Sequence, residues 1–214
     1  DNETVSRNIS AMATSIAQRG VSLRPHIKTH KLPEMAQRQI EAGAVGITTA
    51  KVSEAEVMAA AGIRDIFIAY PLVSESKIRR AIHLIRAGVR LMVGVDSLEG
   101  ALRISQLAQL EQTSVEVRLE IDTGLQRTGV AEAEAIPIAK EISRMNGVDL
   151  TGIFTFRGPV LHGSPTRDIR SAGHDEGKVL AALARKLRDA SVPIKEVSAG
   201  STQTAIYAAE IDGI

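Results

Sequence analysis

Four basic or titratable residues at alternate positions, Arg24, His26, Lys28 and His30 in VSLRPHIKTHK (21–31), form the part of this sequence best equipped for chemistry. In an extended strand side chains alternate between faces. These four then share one side, with Leu23, Pro25 and Ile27 on the other. Such a face looks either into water or into a polar cavity that holds an anion or an electrophile. A lysine crowded there by other cations has its pKa pushed down and becomes a nucleophile.

Two more polar segments carry candidate groups. In VSAGSTQTA (197–205) a glycine lets the chain turn, backbone N–H groups can converge on an anion, and Ser201 and Thr202 add hydroxyls. Taken alone, a Ser/Thr-rich helix cap is an equal reading. In EIDTGLQRTGV (120–130), Asp122 and Arg127 are placed to fix a polar cofactor, Arg127 as a permanent cation with several donors. The alternative is an Asp–Arg pair that orders the loop. No metal site is read from these residues. On a strand His26 and His30 would lie roughly 13 Å apart, His83 falls in a helical pattern facing water, and His162 and His174 flank a Gly/Ser/Pro-containing stretch. Walker A and GxGxxG loops are absent.

The elements that must position these groups alternate along the chain. Strands are predicted at Leu23–Thr29, Gly46–Thr49, Asp65–Ala69, Arg90–Val95, Val115–Ile121, Thr151–Phe156 and Glu196–Ser198. Helices are predicted at about 3–19, 33–43, 53–61, 75–87, 98–110, 132–146 and 169–190. Ser53 with Glu56, and Ser74 with Glu75, read as helix starts. Gly20, Gly43, Gly62 and Gly88 read as helix ends. Alternation of this kind implies a parallel sheet with helical crossovers. Seven strand–helix units point to an α/β fold of the (β/α)8 TIM-type barrel class. In Val115–Asp122 the residues Glu116, Arg118, Glu120 and Asp122 fall on one face, the pattern of a barrel strand with a charged interior. An eighth strand is missing, so residues 1–214 read as one incomplete barrel domain.

Composition narrows the function classes. A formal net charge of +1, from 26 basic and 25 acidic residues, gives no excess of cations for a nucleic-acid binder, and five Phe and Tyr are too few for a base-stacking platform. There is no cysteine, hence no disulfide framework or thiolate zinc site. No apolar run is long enough to cross a bilayer and no signal peptide is read, so the cytoplasm is the expected compartment.

RPHIKTHK at 24–31, EIDTGLQRTGV at 120–130 and SAGSTQT at 198–204 together resemble the fold-type III pyridoxal-phosphate enzymes of the D-threonine aldolase and D-serine dehydratase group. These have a barrel like the alanine racemase N-terminal domain. The resemblance runs through AGAVGITTAKVSEAEVM at 42–58 and DIFIAYPLV at 65–73. It implies pyridoxal 5'-phosphate as cofactor, with Lys28 as the Schiff-base lysine, Arg127 close to the cofactor, and Ser198, Gly200, Ser201 and Thr202 in its phosphate cup. His26 and His30 are then proton carriers. The implied activity is that of a lyase on a β-hydroxy D-amino acid, cleaving it to glycine and an aldehyde or deaminating it to a keto acid. The alternatives are an amino-acid racemase and a non-catalytic pyridoxal-phosphate carrier or regulator. A homodimer is implied, as is a C-terminal β-domain, absent here, that in similar members supplies the ligands of a divalent metal such as manganese or zinc. TFRGPVLHG at 155–163 departs from the family pattern, with Phe156 and Pro159 where histidines are expected.

Overall fold

The computed structural model describes residues 1–214, which divide into two compact units, Asp1–Val93 and Gly94–Ile214. The first contains α1 (Asn2–Ala17), a 3-10 turn at Ile27–Thr29, α2 (Pro33–Glu41), β1 (Ile47–Thr49), α3 (Val52–Ala60), β2 (Asp65–Ile68), α4 (Glu75–Arg86) and the start of β3 (Arg90–Val95). β1 pairs parallel with β2, Ile47 opposite Ile66, and β2 with β3, Ile66 opposite Leu91. Beyond their first residues β2 and β3 are buried (Ile66, Phe67, Ile68; Leu91, Met92, Val93), as a parallel sheet covered on both faces requires. α4 buries Ile78, Ala81 and Ile82 at helical spacing and packs beside α3, each isoleucine contributing about 2 kcal/mol by burial. Gly62 and Gly88 follow α3 and α4 with φ of 94° and 83°, the left-handed conformation that ends a helix cheaply in glycine. α3 starts before the expected Ser53. Lys51 is its N-cap, and the buried Glu54 accepts the Ala50 N–H at 2.9 Å instead.

The strand expected at Leu23–Thr29 does not form. Leu23 and Pro25 accept the N–H groups of Val45 and Thr48 at 3.0 and 2.8 Å, and His26 makes an isolated parallel bridge to Thr48. The chain then winds into the 3-10 turn. Two histidines supply local acceptors that compete with a strand ladder. His26 Nδ1 accepts from the Lys28 N–H at 3.3 Å, and His30 Nδ1 from the Leu32 N–H at 3.1 Å. Arg24, His26, Lys28 and His30 therefore do not share a strand face. Arg24 leaves the set altogether and pairs with Asp65, which Arg90 also reaches at 3.1 Å.

The second unit contains α5 (Leu98–Leu110), β4 (Val115–Asp122), β5 (Val130–Ala131), α6 (Glu132–Ile142), β6 (Val148–Phe154), β7 (Val160–Leu161), β8 (Ser164–Pro165), α7 (Ile169–Asp189), β9 (Glu196–Ser198) and α8 (Ala205–Ala208). β4 pairs parallel with β6, β6 with β9, and β5 with the end of β4, while β7 and β8 make a short antiparallel hairpin. The β4–β6 register slips once. Val117 lies opposite Leu150 but Arg118 opposite Gly152, so Thr151 is an extra residue in β6. β9 comes so close there that a Cβ on Gly152 would collide with the Glu196 carbonyl oxygen. The charged side of β4 turns inward at its middle. Arg118 and Glu120 are 1% and 3% exposed, and Arg118 is paired with Glu196 of β9, which a desolvated guanidinium requires. Both units are parallel α/β, as the alternation predicts.

Candidate functional site

In the first unit the candidate groups sit on one turn. Lys28 is the middle residue of the Ile27–Thr29 turn, exposed, with the buried Ile27 anchoring it. His26 precedes it with its ring engaged on both sides, Nδ1 by the Lys28 N–H and the ring also by the Thr48 backbone. Burial, and then the charge of Lys28, lower its pKa from 6.5 to about 4 against the pull of Glu54 and the Thr48 hydrogen bond. At neutral pH this imidazole is uncharged and acts as a hydrogen-bond acceptor. His30 differs, because its Nδ1 is used by Leu32 while its buried Nε2 has no hydrogen-bond partner. Lys31 is set apart from Lys28 by a left-handed backbone (φ 54°) and by its ion pair with Glu54 at 3.4 Å.

In the second unit the loop after β4 is ordered by Asp122, whose Oδ1 accepts the N–H groups of Gly124 and Gln126 at 2.8 and 3.1 Å. Arg127 is exposed and stacks over the Phe156 ring, 5.4 Å from its centroid. Phe156, one of the two departures from the expected histidines, thus has a definite role as a platform for that guanidinium. Beneath the loop, Glu120 accepts the Thr128 hydroxyl at 2.8 Å through Oε1, while its buried Oε2 has no partner. Burial pushes the Glu120 carboxyl above the usual range. Thr128 and Arg127 oppose the shift, and Asp96 and Asp122 add to it. The Thr155 hydroxyl gives its proton to the Ile121 carbonyl at 2.8 Å, so the Thr123 hydroxyl, 2.8 Å from it, must be donor to Thr155.

The second candidate segment is a tight turn. The Ser198 carbonyl accepts the Thr155 N–H at 3.0 Å, joining β9 to the segment after β6. Gly200 has φ of 96°, and a Cβ there would lie 2.7 Å from Ala205 Cα. Ser201 N–H donates to Thr204 Oγ1 at 2.9 Å, and Ser201 Oγ accepts the N–H groups of Gln203 and Thr204, both at 3.3 Å. Thr202 stands exposed at the apex.

Two residues that sequence reasoning missed hold this region together. Arg157 is 4% exposed, and its guanidinium donates to Thr123 O at 3.0 Å, Ala172 O at 2.8 Å and Asp175 at 2.8 Å, tying the loop after β4 to α7. Glu176 of α7 is fully buried. It accepts the Arg157 N–H at 3.0 Å, the Thr204 hydroxyl at 3.3 Å and the Gly200 N–H. A signal was present, since Ala172, Gly173, Glu176, Gly177 and Leu180 fall at helical spacing, which places a carboxylate within the apolar stripe of α7.

No group of three His, Asp or Glu side chains is arranged to hold a metal ion, and no helix is long and apolar enough to cross a membrane. The family model for the alanine racemase N-terminal domain matches residues 1–213. The D-threo-3-hydroxyaspartate dehydratase of Delftia sp. is 35% identical over 217 residues, covering 100% of this chain and 57% of that protein. The D-threonine aldolase of Arthrobacter sp. is 32% identical over 94% of this chain and 53% of its own length. Among solved structures, D-threonine aldolase from Filomicrobium marinum superposes with a TM-score of 0.89 at 29% identity, covering 97% of this chain and 56% of that one. The chain thus spans about half the length of the curated relatives it matches. These matches give it the fold class expected from the sequence, an incomplete TIM-type barrel.

Proposed function

The chain belongs to the alanine racemase N-terminal domain family, and from that premise we propose that it is a pyridoxal 5'-phosphate-dependent lyase acting on a β-hydroxy D-amino acid. The observation that carries the substrate class is the pair of relatives, one named for D-threo-3-hydroxyaspartate and one for D-threonine, each at 32% identity or more. Both compounds are β-hydroxy amino acids of the D series.

The residues fit the cofactor in kind. An aldehyde needs an accessible amine, and Lys28 offers one on an exposed turn beside a histidine that carries no competing charge at neutral pH. A phosphate needs neutral donors, and the Gly200–Thr204 turn exposes Thr202 at its apex, on a frame of bonds between Ser201 and Thr204. When bound, the cofactor supplies an electron sink for the bond broken at the amino acid's Cα. Lys28 holds the cofactor through its amine, with Ser198, Gly200, Ser201 and Thr202 around the phosphate. Arg127, braced on Phe156, presents a permanent cation to the cofactor ring. Asp122 keeps the Arg127 loop in shape through the amides of Gly124 and Gln126. His30, whose Nε2 is uncommitted, carries the proton, and His26 keeps the Lys28 turn in register. The proposal extends to a homodimer in the cytoplasm, the dimer being testable by sedimentation.

The test uses the full-length protein with pyridoxal 5'-phosphate, with and without manganese or zinc. It is offered D-threonine, D-serine and D-threo-3-hydroxyaspartate beside their L-enantiomers. Glycine plus aldehyde from the D-substrate identifies cleavage, and keto acid plus ammonia identifies dehydration. Inversion without breakdown would make the protein a racemase. Cofactor binding with none of these products would overturn the lyase assignment.

A further inference from the structure

We propose that Glu176 is a positioning residue that makes the Gly200–Thr204 turn selective for a phosphorylated ligand. The inference rests on the reading of that turn as the phosphate cup, and it concerns what holds the cup in shape.

The hydrogen bonds of the turn have one consistent direction. Glu176 is fully buried on α7, 28 residues from Thr204, and three donors converge on its carboxylate: the Arg157 N–H, the Gly200 N–H and the Thr204 hydroxyl. A hydroxyl has one proton to give. With that of Thr204 committed to Glu176, Thr204 Oγ1 is an acceptor toward Ser201, taking its N–H and its O–H, both at 2.9 Å. Ser201 Oγ in turn receives the N–H groups of Gln203 and Thr204. The chain runs from Ser201 through Thr204 to Glu176, and it uses the N–H groups of Gly200, Ser201, Gln203 and Thr204. Thr202, exposed at the apex, stands outside this chain of bonds and is the residue of the turn left to meet a ligand. An anion-binding turn gains selectivity when its donors are fixed in advance.

Packing supports the same conclusion. Gly173 and Gly177 flank Glu176 on α7. A Cβ on Gly173 would lie 2.7 Å from Thr204 O and 2.8 Å from Tyr207 Cβ, and one on Gly177 would lie 2.9 Å from Ile211 Cγ1. Two absent side chains thus let the turn and α8 settle directly onto the helix that carries the carboxylate. Burial pushes the Glu176 carboxyl above its usual range, and the donors of Arg157, Thr204 and Gly200 oppose that shift.

The test compares pyridoxal 5'-phosphate with pyridoxal, which lacks the phosphate, by absorbance titration of the cofactor-free full-length protein. Wild type is expected to prefer the phosphorylated form. Glu176→Gln places an amide N–H against a donor. It is expected to weaken pyridoxal 5'-phosphate binding roughly tenfold to a hundredfold and to change pyridoxal binding by less than about twofold. Thr204→Val, nearly isosteric, cuts the same chain without touching the buried carboxylate and should reproduce the loss, while Thr204→Ser should restore it. The valine variant decides the matter if Glu176→Gln fails to fold. Folded variants that keep the wild-type preference would overturn the role of Glu176 and leave the phosphate cup intact. A wild type that binds both forms equally would remove the cup itself, and the inference with it.

Discussion

The turn that carries Lys28 and the turn that carries Thr202 differ in what anchors them. The first is held by its own side chains, with His26 and His30 each accepting an N–H two residues further along. The second has local bonds of its own between Ser201, Gln203 and Thr204, but it is also held from a distance, by Glu176 and by the close seat that Gly173 and Gly177 provide on α7. A locally held turn depends on the protonation state of its own rings, because a protonated imidazole has no lone pair to accept with. A remotely held turn depends on the packing of the helix beneath it. The two regions should therefore fail under different stresses, acid for one and altered core volume for the other.

The largest expected effect falls on the local turn. Lys28→Ala should abolish the visible absorbance of bound cofactor and all turnover, while Lys31→Ala, altering a side chain already paired with Glu54, should keep both. Borohydride trapping followed by peptide mapping checks the assignment, and a label on Lys31 would sink it. Next comes the remote turn. Gly173→Ala should destabilise the protein by about 1–3 kcal/mol, since the new methyl meets Thr204 O and Tyr207 Cβ inside van der Waals distance. An unchanged urea midpoint would show that α7 and α8 yield more easily than their spacing implies.

A pH titration sharpens the contrast further. The folded pKa of His26, about 4, lies below its ordinary 6.5. Between these values the unfolded chain binds the extra proton, so stability is fully present above pH 6.5 and is lost progressively down to about pH 4. His26→Gln, which retains an acceptor but does not titrate, should flatten this slope in denaturant unfolding measured across that range. An equal slope in both proteins would show that the ring does not brace the turn. The smallest effect is expected at Glu120, whose carboxyl burial holds above its ordinary pKa. The fold favours its protonated form, so its contribution is greatest in acid and is lost as pH rises through the folded value. Glu120→Gln imitates the neutral acid at every pH. It should be near neutral at pH 4 and more stable than wild type by about 1 kcal/mol at pH 8.

The same contrast explains what could be read from the residues in advance. β2, β3 and β4 announce themselves as apolar or alternating runs, and Gly62 and Gly88 mark helix ends through a local steric rule. Lys28 and Gly200 were found because their neighbours in sequence form motifs. The 3-10 turn escaped because RPHIKTHK satisfies the period of a strand, and only the capping bonds of the two histidines break it. β6 begins at Val148, ahead of the expected Thr151, since an extra residue within a strand leaves no mark on the hydrophobic pattern. The partners of Arg157 and Glu176 were illegible for a different reason, as they lie 15 to 34 residues away. A charge in an apolar stripe says that something must compensate it, without saying what.

The extra residue at Thr151 also governs which changes of length this chain can absorb. Every side chain of β6 beyond it owes its facing to that one insertion, including the segment that delivers Thr155 to the Ile121 carbonyl. Deleting a residue between Leu150 and Thr155 would exchange inside for outside along the strand and swing Thr155 away from Thr123. The stretch 161–168 carries no such phase, since most of it is exposed and its hairpin is only two residues per strand. Descendants of this sequence are therefore free to grow or shrink at 161–168, while β6 is confined to substitution.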